Sequence, residues 1–296
     1  MAWNFLFILL VALVATCSTD KTALFYHIFV GKHGLEHTQG IVRNQLDQIE
    51  NKTKFEIYPT IVGAKDFSFN FSHSKPIHTD HGNEGLTLAR IWNYCRSSGN
   101  QFQTVVYLHT KGSYSNNPRN TKLRQFLTYG AVSQQCINSL DRLKSKKITA
   151  EHCTVCSSRM SPLPHPHTPG NMWAASCSYV RNLIDPLQFP LLMKQFDASE
   201  NACRGTGRYA FEHWIHSHPT DMPCDLLADP IYVWNYDHTP DTPFPMDYKS
   251  APRFKLDTYR ISNLCPGYGV LAERITEYRI LYNLTPQKDW WGWRVY

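Results

Sequence analysis

The sequence predicts an α/β protein: a mostly parallel sheet flanked by helices, with a disulfide-containing second half and a C-terminal extension. Three observations predict it. Strand-like apolar runs alternate with runs of helical period through the first half of the chain, the pattern of right-handed βαβ units. Residues 104–108 are β-branched, aromatic and aliphatic without interruption, as in a central strand covered on both faces. That run passes directly into His109-Thr110-Lys111-Gly112-Ser113, a polar turn at the strand end where open α/β sheets collect ligands.

Taken in order, residues 3–15 are almost wholly apolar and give way to Thr16, Cys17, Ser18 and Thr19. That run is shorter than the ~20 residues of a membrane span, so residues 1–18 are expected to be a signal peptide, with a signal anchor as the alternative. Residues 22–30 (TALFYHIFV) read as the first strand, and Ile41, Val42, Leu46 and Ile49 recur at helical spacing after it. Residues 55–62 form the second strand, followed by a helix marked by Leu86, Ala89, Ile91, Trp92 and Cys95. After the third strand, Leu123, Phe126, Leu127, Ala131, Cys136, Ile137 and Leu140 mark one longer helix. Residues 160–170 hold four prolines and form an extended loop, and residues 170–175 a short strand before a helix begun by Tyr179 and Val180. A helical turn then carries Glu212, His213 and His216, with Arg208 placed to neutralise Glu212. In the extension, residues 251–296, Leu271, Ile275, Tyr278 and Leu281 are spaced for a helix that packs on the sheet.

Composition narrows the function. The net charge of +6 is modest for 296 residues, and Lys and Arg are scattered with no basic stripe interleaved with aromatics, so nucleic acid is not an expected partner. An anionic small ligand suits the balance better. Eight cysteines lie beyond the leader, an even number that suits an oxidising compartment, although ~105 pairings are open to them. Asn51-Lys52-Thr53 and Asn70-Phe71-Ser72 are glycosylation acceptors, which also fits the secretory pathway, whether the ER or Golgi lumen or the exterior.

The strand ending FYHIFV, the Gln45-Leu46 pair, Tyr107-Leu108-His109-Thr110-Lys111-Gly112-Ser113, Gly170-Asn171-Met172-Trp173-Ala174 and Glu212-His213 occur in an order that resembles the glycosyltransferase-like family that includes rhamnan synthesis protein F. The resemblance covers residues 23–218 and stops short of the extension. It implies a GT-A-like, Rossmann-like fold over residues 22–250 and a nucleotide-sugar-dependent transferase acting on a glycan or protein hydroxyl. Typical GT-A enzymes hold a divalent metal with an Asp-x-Asp after the nucleotide-binding strand. Here His109-Thr110-Lys111 stands in that place and no Asp-x-Asp occurs, so the diphosphate is expected to meet protein charge directly. A divalent metal is possible without that motif, but the nucleotide sugar is the one cofactor-like ligand implied.

Under that resemblance His109, Thr110, Lys111, Gly112 and Ser113 bind the donor, and Asn171, Met172 and Trp173 contact sugar. Glu212 serves as base, with His213 as its alternate. One alternative is a noncatalytic carbohydrate-binding or extracellular interaction protein on the same fold. A second is a zinc-binding secreted protein, drawn from Cys153, Cys156, His152, His165 and His167. A membrane enters only if the leader is retained as an anchor.

Overall fold

The computed structural model describes residues 21–71, 76–100, 103–114, 117–141, 153–160, 166–196, 209–226 and 279–283. The leader, Arg208, His152, His165, Cys203, Cys265 and most of the extension lie outside the described residues.

Seven strands form one sheet in the order β3-β2-β1-β4-β6-β5-β7. They are β1 (Thr22–Phe29), β2 (Phe55–Val62), β3 (Ile77–Thr79), β4 (Thr104–His109), β5 (Val155–Ser157), β6 (Trp173–Ser176) and β7 (Pro223–Asp225). Pairing is parallel from β3 through β4 and between β5 and β7. Only β6 runs against its neighbours, with Tyr107 opposite Trp173 and Thr104 opposite Ser176. The fold is therefore α/β with a mixed, mostly parallel sheet, as the alternating pattern predicts.

Two cores lie on opposite faces of the sheet because side chains alternate along each strand. Leu24, Tyr26 and Ile28 of β1 and Val106 and Leu108 of β4 face helices α1 (Gly34–Leu46), α3 (Pro118–Val132) and α4 (Gln134–Asp141). Phe25, Val105 and Tyr107 point the other way. They meet α2 (Glu84–Arg96), α5 (Cys177–Val180), α6 (Phe189–Met193) and α7 (Ala210–Trp214). Leu281 and Tyr282 of the extension pack on this second core, and the Tyr282 hydroxyl accepts the Ile184 N–H at 3.0 Å.

Three differences from the sequence pattern have local causes. The long helix expected across residues 123–140 is two. Ser133 takes an extended ψ of 144° and its hydroxyl accepts the Cys136 N–H at 3.2 Å, which starts α4 afresh. In α2 the buried stripe is Thr87, Leu88, Ile91 and Cys95, with Leu86 and Ala89 only half-buried. The helix expected after β6 is a single turn, α5.

Disulfides tie these layers together. Cys95–Cys177 links α2 to α5, Cys136–Cys156 links α4 to β5, and Cys153–Cys224 links the start of β5 to β7. Cys153 and Cys156 therefore pair with distant cysteines and not with each other. A disulfide sulfur is not the thiolate that zinc requires, so the alternative zinc site loses both of its sulfur ligands. Among the described residues no helix is long and apolar enough to cross a membrane. The disulfides and that finding are compatible with a secreted or lumenal protein.

Candidate functional site

The chain leaves β1 toward β2 on one side, and β4 takes the other side, so a crevice opens between the carboxyl ends of β1 and β4. A cleft of about 750 Å³ occupies this place. His27 and Phe29 of β1 and the β4 end with its turn, from His109 to Tyr114, form its floor. Asn83 and Glu84 at the start of α2, Asn117 and Asn120 at the start of α3, and Tyr209, Glu212 and His213 around α7 form its walls. The capping residues have a local reason to be there. Asn83 and Asn117 are the N-caps of α2 and α3, their side-chain oxygens accepting the N–H groups of Gly85 at 3.0 Å and Asn120 at 2.7 Å.

The β4 turn is held from beneath. The Phe29 N–H donates to the Thr110 hydroxyl at 2.9 Å, which clamps the end of β1 to the turn, and the Thr110 N–H donates to the His27 carbonyl at 3.1 Å. Gly112 has φ +94°, a conformation side chains resist, and lets the chain reverse so that the Ser113 N–H reaches the Thr110 carbonyl at 3.1 Å. Arg124 of α3, buried, donates to the Lys111 carbonyl at 2.8 Å. All five residues expected to bind the donor line the cleft, but Thr110 and Ser113 are buried and their hydroxyls bond within the protein. Lys111 and Gly112 form its surface on this side.

Carboxylates line the cleft as well. Glu84, at the first position of α2 where the helix dipole favours an anion, uses Oε2 to accept both the Asn171 Nδ2–H at 2.6 Å and the Tyr107 hydroxyl at 3.1 Å. Burial alone would raise its pKa, but His109, His27 and these two donors outweigh it and hold the carboxyl below its ordinary value. His109 donates Nε2–H to the Gly170 carbonyl at 2.7 Å, while its Nδ1 lies 3.8 Å from Glu84 Oε1. Burial lowers the His109 pKa, with Lys111 acting in the same direction, against the pull of Glu84 and the Gly170 bond. At 3.8 Å no hydrogen bond joins Nδ1 to the carboxylate, and because the Gly170 carbonyl can only accept, the proton of that bond is on Nε2. Beside them His27 is pushed down to about 4 by burial, against Glu84 and with His109, and its Nδ1 lies 3.0 Å from the Thr87 hydroxyl.

Gly170 couples this acid to the next. Its carbonyl accepts the His109 Nε2–H, and its N–H donates to Glu212 Oε1 at 3.1 Å. Its φ of +79° is one that side chains resist, and a Cβ there would press on Leu127 Cδ1, which would have to shift. Among the described residues no three His, Cys, Asp or Glu side chains are grouped to hold a metal ion.

Residues 25–295 match the model of a family described as a domain of unknown function, DUF8361. The chain belongs to that family. The match runs through the extension, so the family unit includes residues beyond the sheet. No curated protein and no solved structure matches the chain.

Of the other residues expected in the site, Glu212 and His213 line the cleft. His213 is 1% exposed and donates Nδ1–H to the Pro166 carbonyl at 3.1 Å. Asn171, Met172 and Trp173 do not reach the cleft and are buried behind its wall. Asn171, held at φ +50°, divides its amide between Glu84 and the Trp173 indole N–H, the latter at 3.0 Å. Met172 receives Gln45 Nε2–H and the Thr128 hydroxyl at 3.7 Å each, and Trp173 packs between Tyr107 and Trp214. Their packing and hydrogen bonds support the wall of the cleft. Glu84 is the residue that sequence reasoning missed. Its signal was the Asn83 cap: a helix that starts at the carboxyl edge of a sheet brings its first-turn acid to the cleft.

Proposed function

We propose that the protein is a nucleotide-sugar-dependent glycosyltransferase of GT-A type, acting in the secretory pathway on a glycan or protein hydroxyl without an Asp-x-Asp motif. The observation that carries this reading is a cleft at the β1 and β4 ends whose lining combines the cation Lys111 with the carboxylates Glu84 and Glu212 and with uncharged hydrogen-bonding side chains. A donor with an anionic diphosphate and a neutral sugar matches that lining when the diphosphate lies at Lys111 of the β4 turn.

In the step, the acceptor O–H gives its proton to Glu212 and its oxygen bonds the sugar's anomeric carbon. The bond from that carbon to the diphosphate breaks, and Lys111 neutralises the departing charge. The Gly170 N–H fixes Glu212 Oε1 at 3.1 Å and orients the carboxylate. The three disulfides fit an oxidising compartment. A second reading, a noncatalytic carbohydrate-binding protein on the same cleft, is favoured by that same bond, which gives Glu212 a structural role in holding Gly170.

A thermal-shift panel of nucleoside diphosphates and their sugars tests the proposal. A ligand that binds only the folded state at ~100 times its Kd adds ~2.7 kcal/mol of stability. Stabilisation by a nucleotide sugar together with its turnover supports the transferase, stabilisation without turnover supports the binding protein, and no stabilisation by any nucleotide refutes the transferase.

A further inference from the structure

His109 Nδ1 and Glu84 Oε1 face each other across 3.8 Å on the cleft wall, and the bonds around them fix both as acceptors. The Gly170 carbonyl, 2.7 Å from Nε2, holds the proton of the neutral imidazole on the far nitrogen, and in that form Nδ1 presents a lone pair. Tyr107 and Asn171 occupy the other carboxylate oxygen, which leaves Oε1 without a donor among the described residues. The side chains are 14% and 30% exposed, so both are reachable from the cleft. Two converging acceptors repel an anion and need a ligand that brings two hydrogens. The cleft lining also presents Asn83, Asn117 and Tyr209, uncharged hydrogen-bonding side chains that suit a neutral polyol.

We infer that His109 Nδ1 and Glu84 Oε1 form a seat for a vicinal diol, one hydroxyl donating to each atom. This rests on the nucleotide-sugar reading and deepens it. It moves His109 from the diphosphate to the hydroxyl end of the ligand, because an imidazole whose only N–H is bonded to Gly170 has none to give a phosphate. The diol belongs to the transferred sugar or to the ribose, and both present the same chemistry.

The test is calorimetric titration of the whole protein with UDP, 2′-deoxy-UDP, UDP-glucose and UDP-2-deoxyglucose, alongside the corresponding guanosine diphosphate and GDP-mannose compounds. Loss of a hydroxyl bonded to a carboxylate is expected to weaken binding about 10-fold or more. A penalty confined to the deoxy sugar places the transferred sugar in the seat, and one confined to the 2′-deoxynucleotide places the ribose there. These comparisons use the wild-type chain, so they do not depend on how any variant folds.

Glu84→Gln is the second arm. Its amide oxygen can keep the Tyr107 and Asn171 bonds while its NH2, a donor facing His109 Nδ1, replaces the second acceptor and closes the seat from within. The deoxy penalty is then expected to vanish. A wild-type protein that binds nucleotides but shows no deoxy penalty, or a Glu84→Gln variant that retains the full penalty, overturns the inference and leaves the nucleotide reading standing. A wild-type protein that binds no nucleotide overturns both.

Discussion

Mild acid should destabilise the fold through His27, a buried imidazole in the cleft floor. It is 4% exposed, and burial pushes its pKa down to about 4 from the ordinary 6.5. Between those values the unfolded chain binds a proton that the folded chain does not, so stability rises with pH there. The contribution is fully present above about 6.5 and is lost as pH falls through about 4. Between pH 7 and pH 5 the two pKa values give a loss of about 2 kcal/mol, in a range where ordinary carboxylates stay ionised. His109 and His218, both lowered by burial, act in the same direction. The assay is denaturant unfolding at pH 7 and pH 5 with disulfides intact, for the wild type and for His27→Gln, whose amide keeps a polar partner for Thr87. The variant should lose about 2 kcal/mol less than the wild type on acidification. Equal losses in both proteins would refute the idea that a neutral His27 is built into the fold.

Three further outcomes follow from the site and its frame. Lys111→Ala should weaken nucleoside diphosphate binding about 10-fold or more without lowering Tm appreciably, since a half-exposed lysine contributes little to stability; unchanged affinity in calorimetry would remove Lys111 from the anion seat. Glu212→Gln keeps an acceptor for the Gly170 N–H and should reduce transfer at least about 100-fold while donor binding survives, so wild-type turnover would leave Glu212 a structural group. Replacing both Cys95 and Cys177 with Ala should lower stability by roughly 4 kcal/mol by denaturant unfolding, because their cross-link spans 82 residues; a loss below about 1 kcal/mol would mean that the bridge adds little.

Much of the architecture was legible because periodicity is a local signal. β1, β2 and β4 are long apolar runs, and the strand-end turn His109 to Ser113 was readable from the junction between an apolar strand and polar residues. β3, β5 and β7 were not, since three residues each are too few to display a period. The break at Ser133 escaped because its apolar neighbours keep helical spacing across the kink, and only the cap bond marks the restart.

The site divides along the same line. The sequence by itself determined which segments become strands and helices, that a basic turn ends the central strand, and that Glu212 follows a Gly-Asn-Met-Trp strand, because each depends on residues close together in the chain. Only the tertiary structure decided what meets what. Glu84 and His109 are 25 positions apart, and Gly170 and Glu212 are 42 apart, as are no local signals. Nor does the chain reveal that Asn171 spends its amide on Glu84 and Trp173, or that Cys153 and Cys156 pair outward to Cys224 and Cys136. Such partners are set by strand order and by the burial of polar groups that must find a hydrogen bond wherever the packed sheet brings one within reach.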